Sequence, residues 1–198
     1  MVKRLQNHSH TIQGQMPGIH LSPEGQQQAS RLAITLAYRQ FVAIYTSDLE
    51  RCMETVQPII ATRPETPLHP SDCLREICYG SYEGKPSSSL DWQALPGTNL
   101  IRKVADGDSW IDLSKRVVPY LNDEIYKTYG DNEGEVLIVT HGGPMRVIRA
   151  ALSNIALGGL IPTPIENCEY WDLEMRHPAR SISLAFDEVA YGEAPREV

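Results

Sequence analysis

One short stretch, Glu135–Ile148, constrains the fold of this chain more than any other part of its sequence. Its apolar run Val136–Val139 is rich in β-branched residues, which is typical of a strand buried on both faces. A glycine turn follows, and Pro144 then opens a helical pattern, because the first helical turn does not need the N–H that proline lacks. The stretch therefore predicts a buried strand followed by His141, directly before the N-terminus of a helix.

The position of His141 suits the binding of an anion. At a helix N-terminus, backbone N–H groups and the helix dipole both point at the ligand. In open α/β sheets, ligands also bind in the crevice outside the carboxyl ends of the strands. The alternative interpretation is an ordinary histidine in a glycine turn at the edge of the core.

The rest of the sequence alternates between strand-like and helix-like patterns. Phe41–Tyr45 predicts a second buried strand, and Cys168–Met175 and Ser181–Phe186 predict two final strands that can pair antiparallel. Helices are predicted from a cap at Ser22 to about Arg39, from a cap at Ser47 or Asp48, and from a cap at Asp108 or Ser109 as far as Ile125. This alternation indicates a layered α/β fold with a largely parallel central sheet, in one domain over residues 1–198.

Several segments lack a helix or strand period. Pro64–Ser71 predicts a connection, and Leu74–Gly84 predicts an ordered functional loop because it mixes apolar, aromatic and glycine residues. Residues 85–108 predict a cover over the site with a helix around Ser89–Ala94. Gly158–Gly159 predicts the end of the helix that starts near Pro144.

Arg51 occupies an unusual place for a cation. It falls in the first turn of the helix capped at Ser47 or Asp48, where a positive charge is unfavourable with the helix dipole. A bound anion would explain the arginine. A solvated surface arginine is the alternative, since most arginines are exposed.

The composition excludes several function classes. A net charge of −7 argues against a general binder of nucleic acid or anionic membranes, and the longest apolar runs are too short to cross a bilayer. The N-terminus has no apolar signal-peptide region. The four cysteines show neither a CxxC pair nor a zinc-type spacing with histidine. We expect reduced thiols in a cytoplasmic protein, with a disulfide left open.

Four side chains would together suit phosphoryl chemistry: His8, Arg51, Glu76 and His141. A neutral imidazole can attack phosphorus and hold it as a phosphohistidine. An arginine neutralises phosphate oxygens with a bidentate fork, and a carboxylic acid can protonate the leaving oxygen. None of these residues is specific when taken alone.

Their order along the chain is specific. The motifs are Asn7–Thr11 (NHSHT), Leu21–Ala29 (LSPEGQQQA), Thr46–Thr55 (TSDLERCMET), Leu74–Gly84 (LREICYGSYEG), Gly107–Ser109 (GDS) and Val139–Gly143 (VTHGG). Through most of its length the chain thus resembles the histidine phosphatase superfamily, the phosphoglycerate-mutase-like proteins. The resemblance implies a three-layer α/β/α sandwich and a small phosphorylated molecule as partner. A homodimer is left open.

The resemblance also implies a role for each matching residue. His8 would be the phosphorylated nucleophile, Arg51 a phosphate clamp and Glu76 the proton donor to the leaving alcohol. His141 would be a second phosphate contact that stabilises the transition state, aided by the N–H of Gly142. Reactions of the family need no metal, so neither a metal site nor a cofactor is implied. The loop Gln13–His20 and the cover would line the pocket.

The first motif departs from the family pattern. Asn7 stands in place of the arginine before the nucleophile, and Ser9 stands in place of the following glycine. Asn7 can donate hydrogen bonds to a phosphate but brings no positive charge. His10 is an alternative nucleophile, although the register set by Thr11 and the Leu21 helix favours His8.

Three functions remain open on the sequence alone. The first is a slow phosphomonoesterase that acts through phospho-His8 on a small phosphorylated metabolite. The second is a pseudophosphatase, which binds a phosphorylated ligand without turnover. The third is phosphoglycerate mutase, which we rank last because the chain leaves little room for the segment that mutases carry between the glutamate and the second histidine.

Overall fold

The strand predicted in the opening stretch forms in the computed structural model, which describes residues 11–86, 99–130, 134–161 and 164–180. This strand, β3 (Glu135–Val139), lies parallel to β1 (Phe41–Ser47), and β1 pairs in parallel with β2 (Leu68–Ser71). The order within the described residues is β2-β1-β3, so the predicted parallel sheet is confirmed.

Helices cover both faces of this sheet. They are α1 (Pro23–Thr35), α2 (Glu50–Ile60), α3 (Trp110–Tyr120), α4 (Lys127–Tyr129), α5 (Gly142–Ser153) and α6 (Leu157–Leu160), with a π-helical turn at Leu121–Tyr126 between α3 and α4. On one face, α1 and α2 pack around Ile44 and Leu137. On the other face, α3 and α5 pack around Ala43, Tyr45 and Ile138. The layers match the predicted α/β/α sandwich.

The buried character of β3 is less complete than its composition predicts. Val139 is buried, whereas the preceding residues 136–138 are half-buried. Val136 and Ile138 pack against the α3–α5 core, and Leu137 packs against the α1–α2 core. Apolar residues on both faces therefore reflect a helix layer on each side.

The first helix begins where it was predicted and ends earlier. Ser22 is the N-cap of α1, and its Oγ accepts a hydrogen bond from Gly25 N at 3.1 Å. The helix ends at Thr35 and not near Arg39. Beyond that end, the carbonyls of Leu36 and Arg39 accept hydrogen bonds from the guanidinium of Arg63.

Two predictions about the chain's connections are wrong. Pro64–Ser71 contains β2, in which Pro70 pairs opposite Thr46. A proline is tolerated here because β2 is the outer strand of the described sheet. The helical pattern does not end at Gly158–Gly159, since α5 ends at Ser153 with Asn154 in the left-handed region, and α6 contains both glycines.

The strand predicted at Cys168–Met175 is absent from the described structure. Leu173 and Met175 are partly buried and pack against the core. In this part of the chain, the backbone of Ala179 bonds the side chain of Asn122 in both directions, at 2.6 and 3.0 Å, and forms no ladder. Ser181–Phe186 and the helix predicted around Ser89–Ala94 lie outside the described residues.

The four cysteines all lie within the described residues and form no disulfide. Among the described helices, none combines the length and the apolar character that a bilayer crossing requires.

A capping box at the start of α3 predicts a pH-dependent contribution to stability. Ser109 is the N-cap and exchanges hydrogen bonds with Asp112. Partial burial alone raises the pKa of Asp112, but hydrogen bonds from Ser109 and Lys103 outweigh it and lower the pKa to about 2. Since the folded pKa lies below the ordinary value of 3.8, the contribution is present above about pH 4 and is lost as the pH falls towards 2.

We therefore expect Asp112→Ala to destabilise the protein by about 1 kcal/mol at neutral pH, or about 2–4 °C in Tm. This difference should shrink as thermal unfolding is followed from pH 5 down to pH 2. Lys115→Ala, at an exposed position of the same helix, is the control, because lysine keeps its charge over that range. A difference that stays constant over the acid range would contradict the assignment.

Candidate active site

The carboxyl ends of two neighbouring strands meet at one edge of the sheet. Thr46 of β1 lies opposite Val139 of β3, so the residues that follow each strand are close together. The helices α2 and α5 begin just beyond these strand ends. Both helix N-termini therefore contribute positive potential at the same edge.

His141 is the N-cap of α5 and is fully buried. Its Nδ1 lies 3.3 Å from Arg51 Nε, which donates, and its Nε2 lies 2.9 Å from Ser47 Oγ. One neutral tautomer satisfies both contacts, with Nδ1 accepting from the arginine and Nε2–H donating to the serine. The alternative of an incidental turn histidine does not fit a buried ring held at both nitrogens.

Arg51 is also buried, with 2% of its surface exposed, so the interpretation as a solvated surface arginine is wrong. It lies in the first turn of α2, as predicted. Among the described residues, its hydrogen bonds go to neutral acceptors: Gly14 O at 2.6 Å, Met16 O at 3.5 Å and His141 Nδ1. Burial lowers the pKa of Arg51, since desolvation penalises the cation. Nearby glutamates oppose this shift through their charge, but none of them accepts a hydrogen bond from Arg51 among the described residues. A phosphate oxygen would be a charged acceptor.

Glu76 lies in the irregular loop predicted to be functional. Its Oε1 accepts hydrogen bonds from Ile77 N at 2.9 Å and from Gly143 N at 3.0 Å. Gly143 is the second residue of α5, so the carboxylate is fixed against the helix that follows His141. The structure thus brings Arg51, Glu76 and His141 to one edge of the sheet.

Gly142, predicted to supply an N–H to the phosphate, is the first residue of α5 and is buried. Its carbonyl accepts a hydrogen bond from Arg146 Nη1 at 2.9 Å. His8 and Asn7 lie outside the described residues. No group of three or more candidate metal ligands occurs in the described part of the chain.

The loop Gln13–His20 is attached to α2. Besides the bonds from Arg51 to Gly14 and Met16, Glu54 accepts a hydrogen bond from Leu21 N at 2.7 Å and pairs with His20. The helix that carries the buried arginine therefore also fixes the predicted wall of the pocket.

Sequence reasoning missed three residues that shape the site. Ser47 was predicted as a helix cap, but Leu49 is the N-cap of α2 and the Ser47 hydroxyl contacts His141. Its place at the end of β1, beside the end of β3, could have indicated this. Cys52 Sγ lies 3.4 Å from His141 Nε2, and Gly143 N bonds Glu76. No sequence signal distinguishes these two from ordinary core and turn residues.

Comparison with known proteins agrees with this geometry. A profile of the histidine phosphatase superfamily (branch 1) matches residues 3–188. The chain belongs to this superfamily. An uncharacterized protein of Mycobacterium tuberculosis is 42% identical over 147 residues, which cover 72% of this chain and 70% of that protein. Glucosyl-3-phosphoglycerate phosphatase of Mycolicibacterium vanbaalenii is 28% identical over 165 residues, with 75% and 72% covered.

Solved structures of superfamily members have the same fold. YhfR of Bacillus stearothermophilus superposes with a TM-score of 0.71 at 27% identity, over 82% of this chain and 81% of that one. Across four curated relatives, the aligned part spans 66 to 77% of their own length. The predicted phosphoglycerate-mutase-like fold is confirmed.

The activity of this histidine phosphatase family member should be sensitive to a methyl group added at Gly143 of α5. A Cβ there would lie 2.2 Å from Glu76 Oε1 and 3.1 Å from Leu113 Cδ2. We expect Gly143→Ala to displace the carboxylate, lowering kcat between about tenfold and a hundredfold, because a 1 Å misplacement can cost about 10²-fold.

The control is Gly158→Ala in α6, where an added Cβ meets no atom within 4 Å. This variant should keep its activity. Steady-state kinetics of the two alanine variants would test the difference, and full activity in Gly143→Ala would show that the Glu76 contact is dispensable.

Proposed function

We propose that this protein is a phosphomonoesterase that forms a phosphohistidine at His8 and acts on a small phosphorylated metabolite. The supporting observation is the buried contact between Arg51 and His141, where a cation without a carboxylate partner among the described residues lies beside a neutral imidazole. Such a pair suits a phosphate dianion, because arginine binds its oxygens as a charged fork. The helix N-termini favour the same charge.

In the first half-reaction, the His8 imidazole attacks phosphorus and the P–O bond to the alcohol breaks. The Glu76 carboxyl group gives its proton to the departing oxygen. In the second, water attacks the phosphohistidine, the P–N bond breaks and the Glu76 carboxylate takes a proton from the water. Inorganic phosphate leaves, and the nucleophile and acid return to their starting forms.

Most of the named relatives support hydrolysis as the reaction class, and one is named a mutase. The Mycolicibacterium vanbaalenii protein is named a glucosyl-3-phosphoglycerate phosphatase. A relative from Cytophaga hutchinsonii, 27% identical over 145 residues, is named a 2,3-bisphosphoglycerate-dependent phosphoglycerate mutase. Because family chemistry passes through one phosphorylated histidine in either case, the nucleophile is the first point to test.

The test is to trap the intermediate. The full chain is mixed with a ³²P-labelled phosphomonoester such as phenyl phosphate, denatured in alkaline detergent and counted for bound label. We expect acid-labile label on the wild-type protein and none on His8→Ala. His10→Ala is the matched control and should retain the label. Label that persists in His8→Ala and disappears in His10→Ala would assign the nucleophile to His10.

Asn7 favours a second candidate, a pseudophosphatase. Because Asn7 stands where the family has an arginine, a charge-assisted contact to the transferred phosphoryl group is missing at this position. This candidate predicts that vanadate or phosphate binds in titration calorimetry while no phosphomonoester is hydrolysed. Measured turnover of any phosphomonoester, absent in His8→Ala, would exclude it.

A further inference from the structure

Arg116 of α3 directs its guanidinium at the backbone of the loop that carries Glu76. Its Nη1 donates to the carbonyls of Asp72 at 3.1 Å, Cys73 at 2.9 Å and Arg75 at 2.9 Å, and its Nη2 donates to the carbonyl of Glu76 at 3.1 Å. One side chain thus contacts three carbonyls that precede Glu76 and the carbonyl of Glu76 itself.

The same guanidinium is linked to the other side of Glu76. Its Nη2 lies 3.6 Å from Asp108 Oδ2, which accepts a hydrogen bond from Cys78 N at 3.1 Å. The chain on both sides of Glu76 is therefore tied, directly or through Asp108, to one residue of α3. This matters because the loop has little regular structure of its own: two short 3₁₀ turns, Asp72–Leu74 and Gly80–Tyr82, flank an irregular stretch that contains Glu76.

Other contacts hold the two residues that precede Glu76 in the loop. Arg75 forms a forked ion pair with Asp48 at 2.5 and 2.6 Å, and Thr140 Oγ1 donates to the carbonyl of Leu74 at 2.6 Å. Arg116 shares the Glu76 carbonyl only with Gln15 Nε2, at 2.9 Å, among the described hydrogen bonds.

We propose that Arg116 is a positioning residue for the proton donor: it fixes the backbone of Glu76 so that the carboxyl group meets the leaving oxygen. The proposal rests on the proposed function, in which Glu76 protonates that oxygen. Arginine suits this place because its planar guanidinium carries five N–H donors. It is also always charged, so it can pair with Asp108 while it donates to the carbonyls.

A misplaced proton donor has a signature that a general loss of folded protein lacks. The donor is needed most when the leaving alcohol is a strong base, and least when the leaving group departs readily as an anion. Arg116→Met should therefore slow hydrolysis of phenyl phosphate far more than that of p-nitrophenyl phosphate. The two rates are compared as kcat/KM, which reports the first half-reaction, because the second half-reaction is common to both substrates. We expect a loss in kcat/KM between about tenfold and a hundredfold on phenyl phosphate and a much smaller loss on p-nitrophenyl phosphate.

The matched control is Arg63→Met. Arg63 also donates to several backbone carbonyls, those of Leu36, Arg39 and Ile59, but it lies beyond the ends of α1 and α2, away from the site. This variant should lose stability without changing the ratio of the two rates. Arg116→Lys keeps the charge but loses the fork, and it should show an intermediate ratio. It also serves as the test if Arg116→Met does not fold.

Glu76→Gln separates the proposal from the function on which it rests. If Glu76→Gln leaves the ratio of the two rates unchanged, the role of Glu76 as proton donor is wrong. The ratio is the rate on p-nitrophenyl phosphate divided by the rate on phenyl phosphate. If Glu76→Gln raises this ratio and neither Arg116 variant does, the positioning role of Arg116 is wrong.

If the protein is inactive, NMR spectroscopy can test the proposal without turnover. The amide resonances of Ile77 and Gly143, which donate to Glu76 Oε1, should shift in the ¹H–¹⁵N spectrum of the Arg116 variants and not in that of Arg63→Met. Unchanged resonances in every Arg116 variant would overturn the proposal.

Discussion

Arg51→Met should lower kcat/KM for phosphomonoesters by about 10³ while leaving the folded protein nearly as stable as before. Removing one preorganised donor from a transition-state site typically costs about 10²–10³, and a charged, buried donor lies at the upper end. Methionine keeps the apolar stem of the arginine but removes the charge.

Stability should respond differently because Arg51 is desolvated without a carboxylate partner among the described residues. Replacing a buried charge with an apolar side chain of similar volume is often neutral or stabilising. The carbonyls of Gly14 and Met16 and the Nδ1 of His141 lose a donor, which opposes this gain. We expect the two effects to leave the free energy of unfolding within about 1 kcal/mol of the wild-type value, or about 2–4 °C in Tm.

Kinetics and thermal unfolding of the same preparation test both parts. Arg51→Lys should retain a fraction of the activity, since lysine keeps the charge and loses the bidentate fork. Activity in Arg51→Met within about threefold of wild type would contradict the phosphate role, given the 10²–10³ expected for a lost donor. A collapse in Tm without a specific kinetic defect would indicate a structural role only.

Asn7→Arg is expected to have the second large effect, and in the opposite direction. The substitution restores the family arginine before His8 and with it a charge-assisted contact to the phosphoryl group. If the natural protein is slowed at this position, kcat/KM should rise by about 10²–10³. The measurement is a panel of phosphorylated metabolites assayed with both proteins, which also searches for the substrate.

Asn7→Gln is the control, because it keeps an amide and adds length without charge. A similar gain in kcat/KM in Asn7→Gln would show that the length of the side chain, and not its charge, causes the effect. No gain in Asn7→Arg would mean that another cation already fills the position or that activity is lost elsewhere in the motif.

Periodicity and capping chemistry predicted the framework well. The strands near Val136 and Phe41, the caps at Ser22 and Ser109 and the place of Arg51 all agree with the structure. These features depend on local pattern, in which one face or one terminus decides the outcome. No strand forms at Cys168–Met175 in the described structure, and its predicted partner Ser181–Phe186 lies outside the described residues. A strand depends on a neighbour to pair with, which the pattern of one segment does not determine.

The structure shows where the described candidate residues lie, and their contacts were not predicted from the sequence. Resemblance to a family selected Glu76 and His141, and the structure places both at one sheet edge. The Ser47 hydroxyl on His141 and the Gly143 amide on Glu76 result from how the strand ends and the loop meet in space. The burial of Arg51, which lowers the pKa of its guanidinium, likewise comes from the way α2 packs at the sheet edge, and a lone arginine in a sequence does not reveal it.

The bond between Glu76 and Gly143 has a consequence for how such a protein can change its substrate. Gly143, whose amide donates to the Glu76 carboxylate, is two residues after His141. Both residues therefore belong to the N-terminal end of the same helix, α5. The N-terminal end of α5 and the Glu76 carboxylate therefore form one wall of the site, and a substitution that moves one part of this wall moves the other. The loop Gln13–His20 is held by α2 both through Arg51 and through Glu54, and Glu54 lies outside the candidate set for phosphate, so its side chain can be exchanged independently. Diversification of ligand range is therefore expected to accumulate there, while the helix-borne wall stays constant.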